Sequence, residues 1–223
     1  MRELRLIPII RLATSRVGGY WAKPTEKEIE NWTKFLNSLR WVTKDRFVIL
    51  FNEPNHSHEW GGELNPEEYA KISYEYAKSL KSSNPDYFIM LAGLDLAAAS
   101  NGTDMDAYNY IARVYQEKNE LKDMVDGLSS HSYPNPGFSG SPYDSGRTSI
   151  RGYEWELGVL KELGVSKDLP VFITETGWVH NGVDSNVIAG NFRTAFEAWQ
   201  LDERVRAVTP FILSYQGEPF LKF

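Results

Sequence analysis

Phe47-Val48-Ile49-Leu50-Phe51-Asn52-Glu53-Pro54 is the stretch whose reading decides the fold. Five apolar residues run without alternation and stop at Asn52-Glu53-Pro54. An unbroken apolar run fits a strand buried on both faces, as in a parallel sheet covered by helices. The polar pair then lies where the strand emerges at its carboxyl end, the end that carries the chemistry in α/β folds and above all in barrels. Pro170 to Ile173 repeats the pattern and leads into Thr174-Glu175-Thr176-Gly177-Trp178. Two glutamates, each ending a buried strand, define the constellation to be tested.

Outward from this stretch, strand and helix alternate. Residues 5–13 read as a strand whose Pro8 argues for an edge position. Pro24-Thr25-Glu26 opens a helix to about Val42, with Ile29, Trp32, Phe35, Leu36 and Leu39 at helical spacing. A second helix starts at Pro66, and residues 87–94 form a strand that ends at Asp95. A third helix runs from Asp106 to about Leu121. Gly127 to Ser130 is then a short strand ending in His131-Ser132-Tyr133-Pro134. The Gly/Ser/Pro-rich segment from Asn135 to about Gly146 is long enough for an active-site loop. Residues 150–163 read as a helix, Ser185 as the N-cap of another through Leu201, and Ala207 to Ser214 as a last strand.

Six strands and five helices in alternation imply right-handed βαβ units and a parallel sheet. The Gly-rich phosphate fingerprint of a dinucleotide fold is absent after the first strand, which favours a TIM-type (β/α) barrel over an open doubly wound sheet. At 223 residues, with no linker-like composition shift, the expectation is a single domain over 1–223.

Composition narrows the function. A net charge of −6 leaves no basic footprint for nucleic acid and no polybasic membrane surface. The absence of cysteine excludes disulfides and thiolate metal sites and leaves the compartment open. No apolar run reaches membrane-spanning length, and the N-terminal residues lack a signal-peptide core. Aromatics at 13%, some beside the polar strand ends, suit a cleft for sugars. The sequons at Asn31, Asn55 and Asn101 carry little weight, since the pattern is common by chance.

Paired carboxylates on a concave surface suit glycosidic cleavage: one is protonated and serves the leaving oxygen, the other is ionised and attacks the anomeric carbon. Asn52-Glu53-Pro54, His131-Ser132-Tyr133 and Glu175-Thr176-Gly177-Trp178 together resemble the fourth-, sixth- and seventh-strand signatures of cellulase-like retaining glycoside hydrolases, a clan of (β/α)₈ barrels. The resemblance covers the motif order from residue 5 to the end. It implies that Glu53 is the acid/base, Glu175 the nucleophile, Asn52 the partner of the sugar 2-hydroxyl, and Tyr133 the residue that holds the Glu175 carboxylate.

Further candidates stand beside these. His131 lines the sugar site by the same resemblance, with a satisfied strand-end histidine as the alternative. Trp178 and Trp60 would stack on sugar faces or pack in the core, and Asp95 would contact substrate or cap the next helix. Arg11 is similar to the arginine such barrels carry near the nucleophile, although that residue belongs to the second strand and Arg11 would lie on the third. Tyr215-Gln216 stands where the family usually shows a Trp platform. His56-Ser57-His58-Glu59 is a candidate metal site with His131 or His180. Hydrogen-bonded loop histidines are the commoner account of such a segment, and no metal or cofactor is expected.

If the Phe47 strand is the fourth of a barrel, the chain holds strands three to eight only. Such a sheet would expose two edges. A fragment, a compact enzyme and a homo-oligomer covering the gaps each answer that, and missing strands would weaken activity. The resulting expectation is a β-specific retaining hydrolase of an oligo- or polysaccharide, with a non-catalytic carbohydrate-binding remnant as the alternative and a metal-dependent hydrolase third. The sugar, the linkage and the endo or exo mode are not encoded in these motifs.

Overall fold

The computed structural model describes residues 3–180 and 182–212. Two compact units divide the chain, Met1–Gly127 and Leu128–Phe223.

In the first unit, β1 (Ile9–Arg11) begins just after Pro8, whose missing N–H cannot join a ladder. The strand is therefore shorter than the predicted 5–13, and Leu4, Leu6 and Ile7 are exposed. A two-residue hairpin follows, β2 (Arg16–Val17) against β3 (Tyr20–Trp21). Gly18 and Gly19 both take positive φ at its turn, a conformation open to glycine without strain.

The first helix, α1 (Glu26–Ser38), opens on a capping box between Thr25 and Glu28. It stops short of the predicted Val42 because the Trp41 indole N–H and the Leu39 N–H both turn back to the Leu36 carbonyl. Next come β4 (Arg46–Leu50), α2 (Pro66–Ser83) and β5 (Tyr87–Leu91). Asn65 caps α2 by accepting the Glu68 N–H at 3.0 Å, with Pro66 in the first turn. The predicted helix 106–121 is broken into α3 (Ala107–Glu117) and α4 (Leu121–Met124), because Lys118 leaves the helical conformation at φ −137°.

Strand order in this unit is β1-β4-β5, all parallel, with Arg11 beside Ile49 and Leu50 beside Leu91. Val48, Ile49 and Leu50 are buried, the run that alternation-free sequence implied. Tyr69 of α2 ties the carboxyl ends of two strands together. Its hydroxyl donates to the Leu50 carbonyl at 3.1 Å and accepts the Ala92 N–H at 2.8 Å.

The second unit holds β6 (Leu128–His131), α5 (Gly152–Glu162), β7 (Val171–Thr176), α6 (Ser185–Gln200) and β8 (Val205–Pro210). Its sheet is again parallel, in the order β6-β7-β8. Asp184, not Ser185, caps α6, accepting the Asn186 N–H at 2.8 Å. The last strand starts two residues earlier than predicted. The end of that expectation, with Tyr215 and Gln216, lies outside the described residues.

The fold is thus α/β, with one three-stranded parallel sheet in each unit and the β2–β3 hairpin in the first, among the described residues. No described helix is long and apolar enough to cross a membrane.

Candidate active site

At the carboxyl end of β4 the backbone is bent into an unusual path. Phe51 has φ +73° and Glu53 φ +31°, values that side-chain-bearing residues seldom adopt. Such residues persist where the surroundings over-determine them. Here the Phe51 ring is locked edge-on among Trp60, Tyr69 and Tyr76, and the Glu53 N–H donates to the Gly93 carbonyl at 3.1 Å. Asn52 stands between the two strained residues. Its side-chain oxygen accepts Arg11 Nη1 from the neighbouring β1 at 2.5 Å.

The segment after Pro54 makes one turn of tight helix, Ser57–Glu59. His56 is held between two aspartates, with Nδ1 at 2.7 Å from Asp104 and Nε2 at 3.2 Å from Asp95. Burial acts to lower its pKa, but the two aspartates and the nearby charge of Glu53 raise it to about 9. Both ring nitrogens that a metal would use are engaged by carboxylates. Burial pushes Glu59 up to about 7, opposed by the nearby Asn52 amide and reinforced by the charge of Glu53.

Asn55 is fully buried, bonding the backbone of Asp95 and Met105, so its sequon has no side chain to offer a glycan. Asp95 also accepts the Ala97 N–H at 2.8 Å, a local turn. Trp60 is 1% exposed and donates to Glu68 at 2.9 Å, so the core-packing alternative describes its placement.

In the second unit, β6 and β7 slip register at a bulge after Ser130, which sets His131 directly beside Glu175. Tyr133 Oη donates to Glu175 Oε2 at 3.1 Å, and His131 Nδ1 lies 3.8 Å from the same oxygen. His131 is 2% exposed and the Glu175 side chain 14%. The Tyr133 hydroxyl thus fixes the orientation of the Glu175 carboxyl group. Beyond it, Gly177 passes so close to the Phe211 carbonyl that a Cβ would sit 2.8 Å from that oxygen. That explains the glycine of the Glu-Thr-Gly-Trp motif. Trp178 is buried, its N–H on the Gly140 carbonyl at 2.8 Å and its ring edge-on to Phe192.

The opposite face of β6 carries a group that sequence reading missed. Glu156 of α5 is buried and accepts a short hydrogen bond from Ser130 Oγ, which also meets Ser132 Oγ at 2.8 Å. Ser132 Oγ accepts the Tyr153 N–H at 3.0 Å, and the Ser132 carbonyl accepts Thr176 Oγ1 at 2.7 Å. The strand that presents His131 and Tyr133 is therefore pinned from behind. Burial raises Glu156 to about 7. The only signal in sequence was a glutamate at a core position of a helix.

No protein-family model matches the chain, and no curated protein does. Solved structures do. A GH128 (subgroup II) endo-β-1,3-glucanase from Sorangium cellulosum aligns over 96% of this chain and 73% of its own, with TM-score 0.65 and 13% identity. A family 39 glycoside hydrolase from Bacteroides cellulosilyticus gives TM-score 0.61 at 18% identity over 94% of this chain. This chain spans only 44% of that neighbour. A GH128 (subgroup VII) oligosaccharide-binding protein from Cryptococcus neoformans aligns over 86% of this chain and 68% of its own, with TM-score 0.53 and 15% identity. Glycoside hydrolases dominate these neighbours. At such identities the likeness shows the fold, the α/β architecture of (β/α)-barrel glycosidases.

Proposed function

We propose that the chain is a retaining glycoside hydrolase that cleaves β-linked O-glycosidic bonds of an oligo- or polysaccharide. Glu175 is the nucleophile and Glu53 the acid/base, with residues 1–223 serving as one catalytic domain that corresponds to barrel strands three to eight. The observation that carries the reading is the Tyr133 hydrogen bond to Glu175, beside a histidine brought into register by a strand bulge. Support also comes from the strained Phe51-Asn52-Glu53 path at the end of β4, since strain of this kind clusters at active sites.

In the first step a Glu175 oxygen attacks the anomeric carbon while the bond to the leaving oxygen breaks, and Glu53 gives that oxygen its proton. In the second, Glu53 takes a proton from water, whose oxygen attacks the anomeric carbon and releases Glu175. Retention requires the two carboxyl groups about 5–5.5 Å apart. Asn52, His131 and Asp95 serve as sugar contacts in this reading, and Tyr133 orients the nucleophile. Buried Trp60 and Trp178 support the walls.

The test is hydrolysis of an aryl β-glycoside panel and of β-1,3-glucan, the latter chosen because one neighbour is an endo-β-1,3-glucanase. Glu175→Gln is expected to reduce turnover to background at unchanged thermal stability. Undiminished hydrolysis by that variant overturns the proposal. A second reading, carbohydrate binding without catalysis, is favoured by the oligosaccharide-binding neighbour. It predicts calorimetric binding of sugars with no turnover by the wild type.

A further inference from the structure

Along β6 and the two residues beyond it, alternate side chains serve different partners. Ser130 and Ser132 turn to α5, whereas His131 and Tyr133 meet Glu175. Counting hydrogens fixes the direction of the bonds on the α5 side. Ser130 has one hydroxyl hydrogen and gives it to Glu156, so the hydrogen between Ser130 and Ser132 comes from Ser132. Ser132 Oγ in turn accepts the Tyr153 N–H. Three donations therefore run one way, from Tyr153 through two serines to Glu156. The relay begins and ends on α5, at positions three residues apart that share one face of the helix.

This end of α5 is a firm support. Tyr153 is buried and its hydroxyl donates to Asp202 at 3.0 Å. Arg151 gives the first turn no side-chain cap, so Ser132 takes up an N–H that helix geometry leaves open. The Ser132 carbonyl accepts Thr176 Oγ1, which ties the same residue to β7 just beyond Glu175. Both serines and Glu156 are buried. A carboxyl is costly to bury, and what it supplies here that an apolar side chain cannot is a fixed acceptor.

We propose that Glu156 is a positioning residue for the nucleophile: acting through Ser130 and Ser132, it holds the end of β6 where Tyr133 can reach Glu175. This rests on the glycosidase reading and adds to it a residue that works from the far side of the strand. Its effect on turnover passes through the Tyr133 hydroxyl.

The test is a double-mutant cycle on an aryl β-glycoside, since a residue that acts through Tyr133 loses its effect once that hydroxyl is gone. Glu156→Leu is expected to lower kcat about ten-fold and to leave KM within about two-fold, because the contact it disturbs is made to the nucleophile. In the Tyr133→Phe background the same change should lower kcat less than about two-fold. Glu156→Gln keeps an acceptor oxygen for Ser130 and should retain at least about half of the wild-type kcat. Ser130→Ala cuts the relay on the strand side, is expected to match Glu156→Leu, and replaces it if the leucine variant fails to fold. Equal losses in both Tyr133 backgrounds, or a glutamine variant as impaired as the leucine one, overturn the inference and leave the hydrolase reading standing. If the wild type turns over nothing, the hydrolase reading fails instead, and the Tyr133 ring decides. In protein carrying carbon-13-labelled tyrosine, the Tyr133 Cζ signal, assigned by its loss in Tyr133→Phe, should move in Glu156→Leu and stay in place in Glu156→Gln. A signal that Glu156→Leu leaves unmoved overturns the inference.

Discussion

Asn52 and Glu53 are informative because of what surrounds them. Their neighbour Phe51 is forced to φ +73° and kept there by three aromatic rings. Local strain of this order costs about 1–3 kcal/mol and survives only where packing outweighs it. Glu175 sits in a different setting, an ordinary strand position made special by its donors. If the Tyr133 bond orients and stabilises the Glu175 carboxylate, Tyr133→Phe should lower kcat/KM about ten- to a hundred-fold, since hydrogen bonds to charged groups are worth roughly 1.5–3 kcal/mol. Steady-state kinetics on the best aryl glycoside checks this. A variant as active as the wild type would mean that the bond plays no part in turnover. The residue types at these strand ends were readable in sequence. The bond from Arg11 to Asn52 was not, because it joins separate elements and spacing along the chain does not reveal it.

The elements explain which parts of the fold could be anticipated. Apolar runs without alternation marked β4, β5 and β7, and turn residues with a capping pattern marked α1 and α2. Boundaries went astray where a local backbone effect intervened, as at Trp41, whose indole bonds the Leu36 carbonyl where α1 ends, and at Pro8, which trims β1. The β2–β3 hairpin went unanticipated, although Gly18-Gly19 was its available signal. Helical periodicity shows which face of α5 is buried but not that a glutamate there has a serine partner on β6.

Glu156 also gives a stability prediction. Its carboxyl is raised to about 7 by burial, so the native state holds the proton more tightly than the unfolded chain between the ordinary value of 4.5 and 7. Its contribution is therefore greatest at low pH and is lost as pH rises through about 7. The slope for one such group is about 1.4 kcal/mol per pH unit within that window. Glu156→Gln, an uncharged isostere, should gain stability relative to wild type as pH rises across it, read from urea midpoints. A constant difference between the two proteins at every pH would contradict the assignment.

For the molecule as a whole, two three-stranded parallel sheets and a likeness to (β/α)-barrel glycosidases accord with the alternating pattern of the sequence. Glu53 lies in the unit Met1–Gly127 and Glu175 in the unit Leu128–Phe223. The central claim is that these two carboxyls share one double displacement, and its covalent intermediate can be caught. A 2-deoxy-2-fluoro β-glycoside with a good leaving group slows both steps and, with departure assured, lets the glycosyl-enzyme accumulate. Peptide mapping by tandem mass spectrometry should then find one fluoroglycosyl group per chain, on Glu175, in an enzyme that has lost activity. Inactivation with the label on any other residue, or an active enzyme that never acquires the label, would contradict the account.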